Sequence, residues 1–272
     1  MSFGSLNMML ETQLRYSLNR SGQQKKVLLI TVNYRSADTT LLLLDSLFEL
    51  KRFAELQVVI VDNGSEDGSV ARILHKIRQH ENVSVLRSPI NRGYFGGAKW
   101  ALDTYSAERG GFPDWVIVSN NDILIDDSEF LERLFSRDPA AVGVIAPQIR
   151  SLQSQRDQNP FMEKRLGRWR LLAIRFWGST YYVAWLHDLI YGLLNLLRAR
   201  VAGLRRTTVG AGARIAGRRI YAPHGAFMIF SRKYFESGGY IDDGFFLYGE
   251  EITVAEICRR LGERRRWMGG AF

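Results

Sequence analysis

The chain has 272 residues, 46% of them hydrophobic. That is enough to bury a sizeable core and too much for a disordered, collagen-like or coiled-coil chain. Thirty-seven Lys and Arg against 28 Asp and Glu give a formal net charge of +9. The single cysteine, Cys258, excludes an intramolecular disulfide and a cysteine-rich zinc site, as suits a reducing, intracellular compartment.

Residues 1–24 lack the basic start, apolar stretch and cleavage site of a signal peptide, and are expected to form a polar tail. From Val27 the pattern alternates. VLLITVN reads as a buried strand, 38–50 as a helix, LQVVIVD as a second buried strand and 66–80 as a helix. NVSVLRS, a helix after Gly97, DWVIVSN, a helix over 127–137 and VGVIAPQ continue the series. Strand-helix-strand units with nearly continuous Val/Ile/Leu runs imply an α/β fold, a mostly parallel sheet covered by helices on both faces. Further on, 220–232 is expected as a strand, followed by a glycine turn at Gly238–Gly239, the aromatic run GFFLYG and a helix over 250–261.

The charge is concentrated. Residues 150–219 hold 14 Lys and Arg against Asp157, Glu163 and Asp188, a local +11 that leaves the rest near −2. Arginines there are interleaved with Trp169, Phe176, Trp177, Tyr181, Tyr182, Trp185 and Tyr191. A spanning helix over 176–197 is disfavoured by His187 and Asp188 at its middle, an Asp there costing roughly 2.5–3.5 kcal/mol. Nucleic-acid binding and a plain solvated basic surface are alternatives. The preferred expectation is one or two interfacial helices on an anionic membrane, with no nucleic-acid partner.

Ligands of open parallel sheets bind beyond the carboxyl ends of the strands. Those ends are polar or glycine-rich here: Asn33 and Tyr34; Asp62-Asn63-Gly64-Ser65; Asn91-Arg92-Gly93-Tyr94-Phe95-Gly96-Gly97; Asn120-Asn121-Asp122. The DNGS turn can simply cap a helix, and the glycine loop can be flexible or can bring N–H groups to a phosphate. Oxygen donors at Asn120 and Asp122 suit Mg²⁺ or Mn²⁺ on a pyrophosphate, although a plain cap reads the same way. Glu250 and Glu251 open a helix, where acids are favoured anyway, or supply a general base beside Phe245, Phe246 and Tyr248. His224 is either a substrate contact or hydrogen-bonded structure.

In order, VNY, DNGS, N-x-G-x-x-G-G, N-N-D, G-A-F and GGYIDDGFFLYGEE resemble the family 2 glycosyltransferases of GT-A fold, especially the rhamnosyltransferase-like branch, over about 27–262 apart from the basic insertion. The resemblance implies one Rossmann-like domain over 25–262. It comprises a nucleotide-sugar half (25–150), a basic, aromatic-rich helical insertion (151–219) and an acceptor and catalytic half (220–262), before a short tail (263–272). It also implies an inverting, metal-assisted hexosyl transfer from a nucleotide-diphosphate sugar to a lipid-linked or polysaccharide acceptor, at the cytoplasmic face of a membrane. By position, Asn33 and Asp62 lie against base and ribose, Asn91 and Gly93 near the nucleotide-sugar, and Asn120 and Asp122 at the family's D-x-D metal motif. Glu251 takes the place of the acid that deprotonates the acceptor, with Glu250 its neighbour. Thr253 and Ile257 stand where the family has a third acid and an arginine. A degenerate, non-catalytic binding module and a nucleotidyltransferase are the competing readings; the latter wants a glycine-rich loop after the first strand, where TVNYRSADTT has none.

Overall fold

Aliphatic runs that offer water no polar face are sheltered only between two layers. In the computed structural model, β1 (Val27–Asn33) and β2 (Leu56–Asn63) lie inside such a sheet. The structure describes residues 27–165, 167, 220–246 and 249–262, and the backbone of 265–268. The chain divides into two units, Met1–Glu163 with Ile215–Phe272, and Lys164–Arg214; the sheet and its helices belong to the first. The basic run expected as interfacial helices, with its apolar stretch 176–197, falls outside the described residues. No helix of the described residues is long and apolar enough to cross a membrane.

After β1 come α1 (Ala37–Phe48), β2, α2 (Ser69–Ile77), β3 (Val83–Ser88), α3 (Tyr94–Arg109) and β4 (Trp115–Asn120). Then come α4 (Phe130–Phe135), β5 (Val144–Pro147), β6 (Phe227–Ser231), α5 (Arg232–Glu236), α6 (Glu250–Arg260) and β7 (Arg265–Met268). The seven strands lie in the order β3-β2-β1-β4-β6-β5-β7. β1 to β4 run parallel, β6 is antiparallel to β4 and β5, and β7 is parallel to β5. This is the mostly parallel, helix-flanked sheet expected.

Successive strand residues face opposite layers. Leu29, Val58, Ile60 and Ile117 pack with Leu43, Leu44 and Leu47 of α1, Ile73 of α2 and Phe130 and Leu134 of α4. Leu28, Ile30, Val59, Val116 and Val118 pack with Phe95, Ala98, Leu102 and Tyr105 of α3 and Val254, Ile257 and Cys258 of α6. Each such aliphatic side chain contributes roughly 1.5–3 kcal/mol by leaving water.

The boundaries differ from expectation where side chains meet neighbours. Helix α3 begins at Tyr94, so Gly96 and Gly97 lie in its first turn rather than in a loop. A Cβ on Gly97 would stand 3.2 Å from Asn63 Oδ1 and Val32 Cγ2, so these glycines serve close packing on the strand ends. The expected strand over 220–232 is confined to Phe227–Ser231, and residues before it form a loop over the strand ends. β7 extends the sheet into the segment expected as a C-terminal tail. Residues 151–163, expected to open the insertion, are tied to the first unit by the bridges Arg150–Asp157 and Met162–Ala222.

Tyr234 of α5 is fully buried and donates its hydroxyl to the Tyr240 carbonyl at 2.8 Å; burial pushes its pKa far above the ordinary phenol range. The unfolded chain releases that proton near pH 10 and the folded chain keeps it, so the stability it confers is complete below about pH 10 and is lost as pH rises further. Urea unfolding measured from about pH 8 to pH 11 will show this decline, shallower in Tyr234→Phe.

Candidate active site

Parallel pairing brings three strand ends together. Asn33 lies beside Asp62, and Val32 beside Asn120. A cavity of about 290 Å³ opens above them, lined among others by Tyr34, Asn63, Asn91, Gly93, Tyr94, Asn120, Asp122 and Phe246.

Asn33 and Asp62 do not line this cavity; they are buried beneath its wall. Asn33 Nδ2 donates to Asp62 Oδ1 at 2.9 Å and to Ser65 Oγ at 3.3 Å, while its Oδ1 accepts from Thr40 Oγ1 at 3.0 Å. Asp62 Oδ2 accepts the Ser65 N–H at 3.1 Å. The residues facing the cavity at these strand ends are instead the adjacent Tyr34 and Asn63. Asn63 Nδ2 donates to Asn91 Oδ1 at 3.2 Å and to the Gly93 carbonyl at 2.9 Å, locking the glycine loop to β2. Its Oδ1 is buried with no hydrogen-bond partner among the described residues.

Asn91 closes its own turn by accepting the Gly93 N–H at 3.0 Å. Gly93 has φ +74, and a Cβ there would lie 2.3 Å from the Phe246 carbonyl oxygen. Only glycine lets the loop before α3 meet the segment before α6 this closely.

In Asn120-Asn121-Asp122 the roles separate. Asn121 Nδ2 donates to Ser36 Oγ at 2.7 Å and Thr40 Oγ1 at 2.9 Å, stapling the end of β4 to the start of α1. Asn120 and the exposed Asp122 line the cavity, and neither side chain is hydrogen-bonded or ion-paired among the described residues. They offer two hard oxygen donors beside a pocket, a donor set whose chemistry would fit a divalent cation. Among the described residues no group of three or more His, Cys, Asp or Glu could hold an ion on its own.

The loop 223–226 runs beside the end of β4, the Asn120 N–H donating to the Ala226 carbonyl at 2.8 Å; neither this loop nor Glu250 and Glu251 lines the cavity. Glu251 Oε1 accepts the Gly225 N–H at 3.1 Å, and a Cβ on Gly225 would lie 2.7 Å from that oxygen. Glu250, at the first position of α6, is buried. Tyr94 Oη donates to the Gly225 carbonyl at 3.2 Å. Burial and the nearby carboxylates of Glu250, Asp122 and Glu251 raise the Tyr94 pKa well above the usual phenol range. His224 is held as structure: its N–H donates to Asn159 Oδ1 at 2.8 Å, and its Nδ1 accepts the Ala226 N–H at 3.1 Å. Phe245 and Phe246 are exposed, Phe246 at the cavity rim; Tyr248 lies outside the described residues.

Residues 27–191 match the family "Glycosyl transferase family 2". The chain belongs to that family. The low-salt glycan biosynthesis hexosyltransferase Agl10 of Haloferax volcanii is 24% identical to the chain over 237 residues, 85% of the chain and 61% of that protein. Among solved structures, the mannosyltransferase PcManGT from Pyrobaculum calidifontis, in complex with GDP-Man and Mn²⁺, aligns over 92% of the chain and 58% of its own, at 17% identity and TM-score 0.51. S. aureus TarS 1–349 in complex with UDP-GlcNAc aligns over 91% and 59%, at 13% identity and TM-score 0.54. These likenesses establish the GT-A fold. The chain spans about three-fifths of the length of these relatives.

Gly93→Ala will lower stability by about 1–3 kcal/mol, since it adds left-handed strain to a contact with Phe246 that has no room. Asn33→Ala removes donors from buried Asp62 and an acceptor from Thr40, and will cost a similar amount, roughly 1–3 kcal/mol. Denaturant unfolding midpoints of the two variants check both.

Proposed function

We propose that the protein is an inverting glycosyltransferase that moves a hexose from a nucleotide-diphosphate sugar to a hydroxyl of a lipid-linked or polysaccharide acceptor. One observation carries the reading most: Asn120, Asp122 and Tyr94 line one cavity at the strand ends, and the Tyr94 hydroxyl donates to the carbonyl of Gly225, whose amide holds Glu251. The donors named for PcManGT and TarS, GDP-Man and UDP-GlcNAc, support a nucleotide-sugar as the occupant.

Tyr34, Asn63, Asn91 and Gly93 receive the nucleotide-sugar, while Asn33 and Asp62 act from beneath by fixing the strand ends. Asn120 and Asp122 would hold Mg²⁺ or Mn²⁺, which supplies positive charge to the diphosphate when bound. Glu251 takes the acceptor's proton as the acceptor oxygen bonds to the anomeric carbon. The bond from that carbon to the diphosphate oxygen breaks, its electron pair leaves with the nucleoside diphosphate, and attack on the opposite face inverts the centre. Glu251 suits the part better than Glu250, which is buried at the helix start. His224, with its Nδ1 engaged by the Ala226 amide, has no role in this reading beyond shaping the loop.

The +11 of residues 150–219 supports an anionic membrane surface as the working place, where a lipid-linked acceptor resides. Flotation with liposomes will recover the protein with anionic lipid and not with neutral lipid; equal recovery removes this part of the reading.

The test of the activity is a thermal-shift screen of UDP-, GDP- and dTDP-sugars with and without Mn²⁺. A true donor at 100 times its Kd stabilises the protein by about 2.7 kcal/mol. Glu251→Gln will keep that shift and lose about 10²–10⁴-fold in transfer. A parent protein that binds a donor and transfers nothing to membrane extract is a binding module instead.

A further inference from the structure

We propose that Tyr94 is a positioning residue that ties the donor cavity to the general base through the backbone of Gly225. This rests on the reading of Glu251 as that base.

Tyr94 is the first residue of α3, directly after Gly93, and it lines the cavity. Its hydroxyl donates to the Gly225 carbonyl, and the Gly225 N–H donates to Glu251 Oε1. One peptide residue therefore carries both links. A side chain at position 225 would stand 2.7 Å from the same Glu251 oxygen, so the amide reaches the carboxylate because the residue is glycine.

The segment around Gly225 is braced elsewhere. The His224 N–H is held by Asn159, whose Nδ2 donates to the Pro147 carbonyl at 2.7 Å, and the Ala226 carbonyl accepts the Asn120 N–H at 2.8 Å. These bonds fix the loop on the β4 and β5 side. Tyr94 fixes it from the glycine loop that cradles the donor. A donor that settles the loop before α3 thereby settles the Glu251 carboxylate, so the base is oriented for the acceptor when the donor is in place.

Misplacement of a reacting group by about 1 Å costs on the order of 10²-fold in rate. Tyr94→Phe keeps the ring and loses the hydroxyl. With Mn²⁺ and UDP-GlcNAc or GDP-mannose, whichever the parent turns over, it will lower kcat about 10- to 10²-fold. Donor Kd by calorimetry will stay within about twofold. Combined with Glu251→Gln, Tyr94→Phe will cause no further loss, because both act through one carboxylate. Gly225→Ala will reproduce the kcat loss at unchanged donor Kd, which keeps the test decisive if Tyr94→Phe folds poorly.

A Tyr94→Phe kcat within about twofold of the parent, a Kd that weakens in step with kcat, or losses that add in the double variant would each overturn the proposal. A parent that transfers no sugar instead overturns the transferase reading. An active parent left unchanged by Glu251→Gln overturns the assignment of the base.

Discussion

Asn33 donates to Asp62 where β1 and β2 end side by side, and the rest of the site depends on that buried bond. A carboxylate removed from water needs donors close by, and Asp62 finds them in Asn33 and the Ser65 amide. Asn33 also accepts from Thr40 of α1, and Thr40 in turn accepts from Asn121 beyond β4. Three chain exits are thus gathered by one chain of polar contacts. The hydrophobic core sets the sheet, but it says nothing about how its exits diverge; this network keeps them within the width of one ligand.

Above that network the cavity is built largely from backbone and carboxamides. Asn63, Asn91 and Gly93 lock one another, and the glycine loop meets the Phe246 carbonyl where any Cβ would collide. Outside 150–219 the chain carries about −2, so the body has no general attraction for an anion. Its walls must provide oriented dipoles, the start of α3 among them, and exposed oxygens at Asn120 and Asp122. Electrostatic work is therefore divided: local and directional at the strand ends, diffuse along the basic segment.

The parallel half of the fold is legible in the sequence because its signal is local. Aliphatic runs such as LQVVIVD, fully buried along β2, leave no other reading. The candidate ligand residues are legible as positions, since polar groups cluster at strand ends, but their depth is not. Strand alternation alone does not say whether Asn33 or its neighbour faces the cavity. The start of α3 is hidden because glycine reads as a breaker, while at Gly96 and Gly97 it permits contact with neighbouring elements. The role of Tyr94 is hidden for another reason: its partner is 131 residues away, and no local pattern reports an antiparallel strand returning beside β4.

That return has a consequence in time. The elements β1, α1, β2, α2, β3, α3 and β4 are consecutive; β1–β2 and β2–β3 pair over one crossover each and β1–β4 once residues 115–120 are made, so this half can assemble while the chain is still being made. Gly225 and Glu251 emerge from the ribosome far later. At about 5–20 residues per second, the 131 residues separating Tyr94 from Gly225 take roughly 7–26 s to synthesise. For that interval the Tyr94 hydroxyl lacks its Gly225 acceptor, and the contact closes only when β6 enters between β4 and β5.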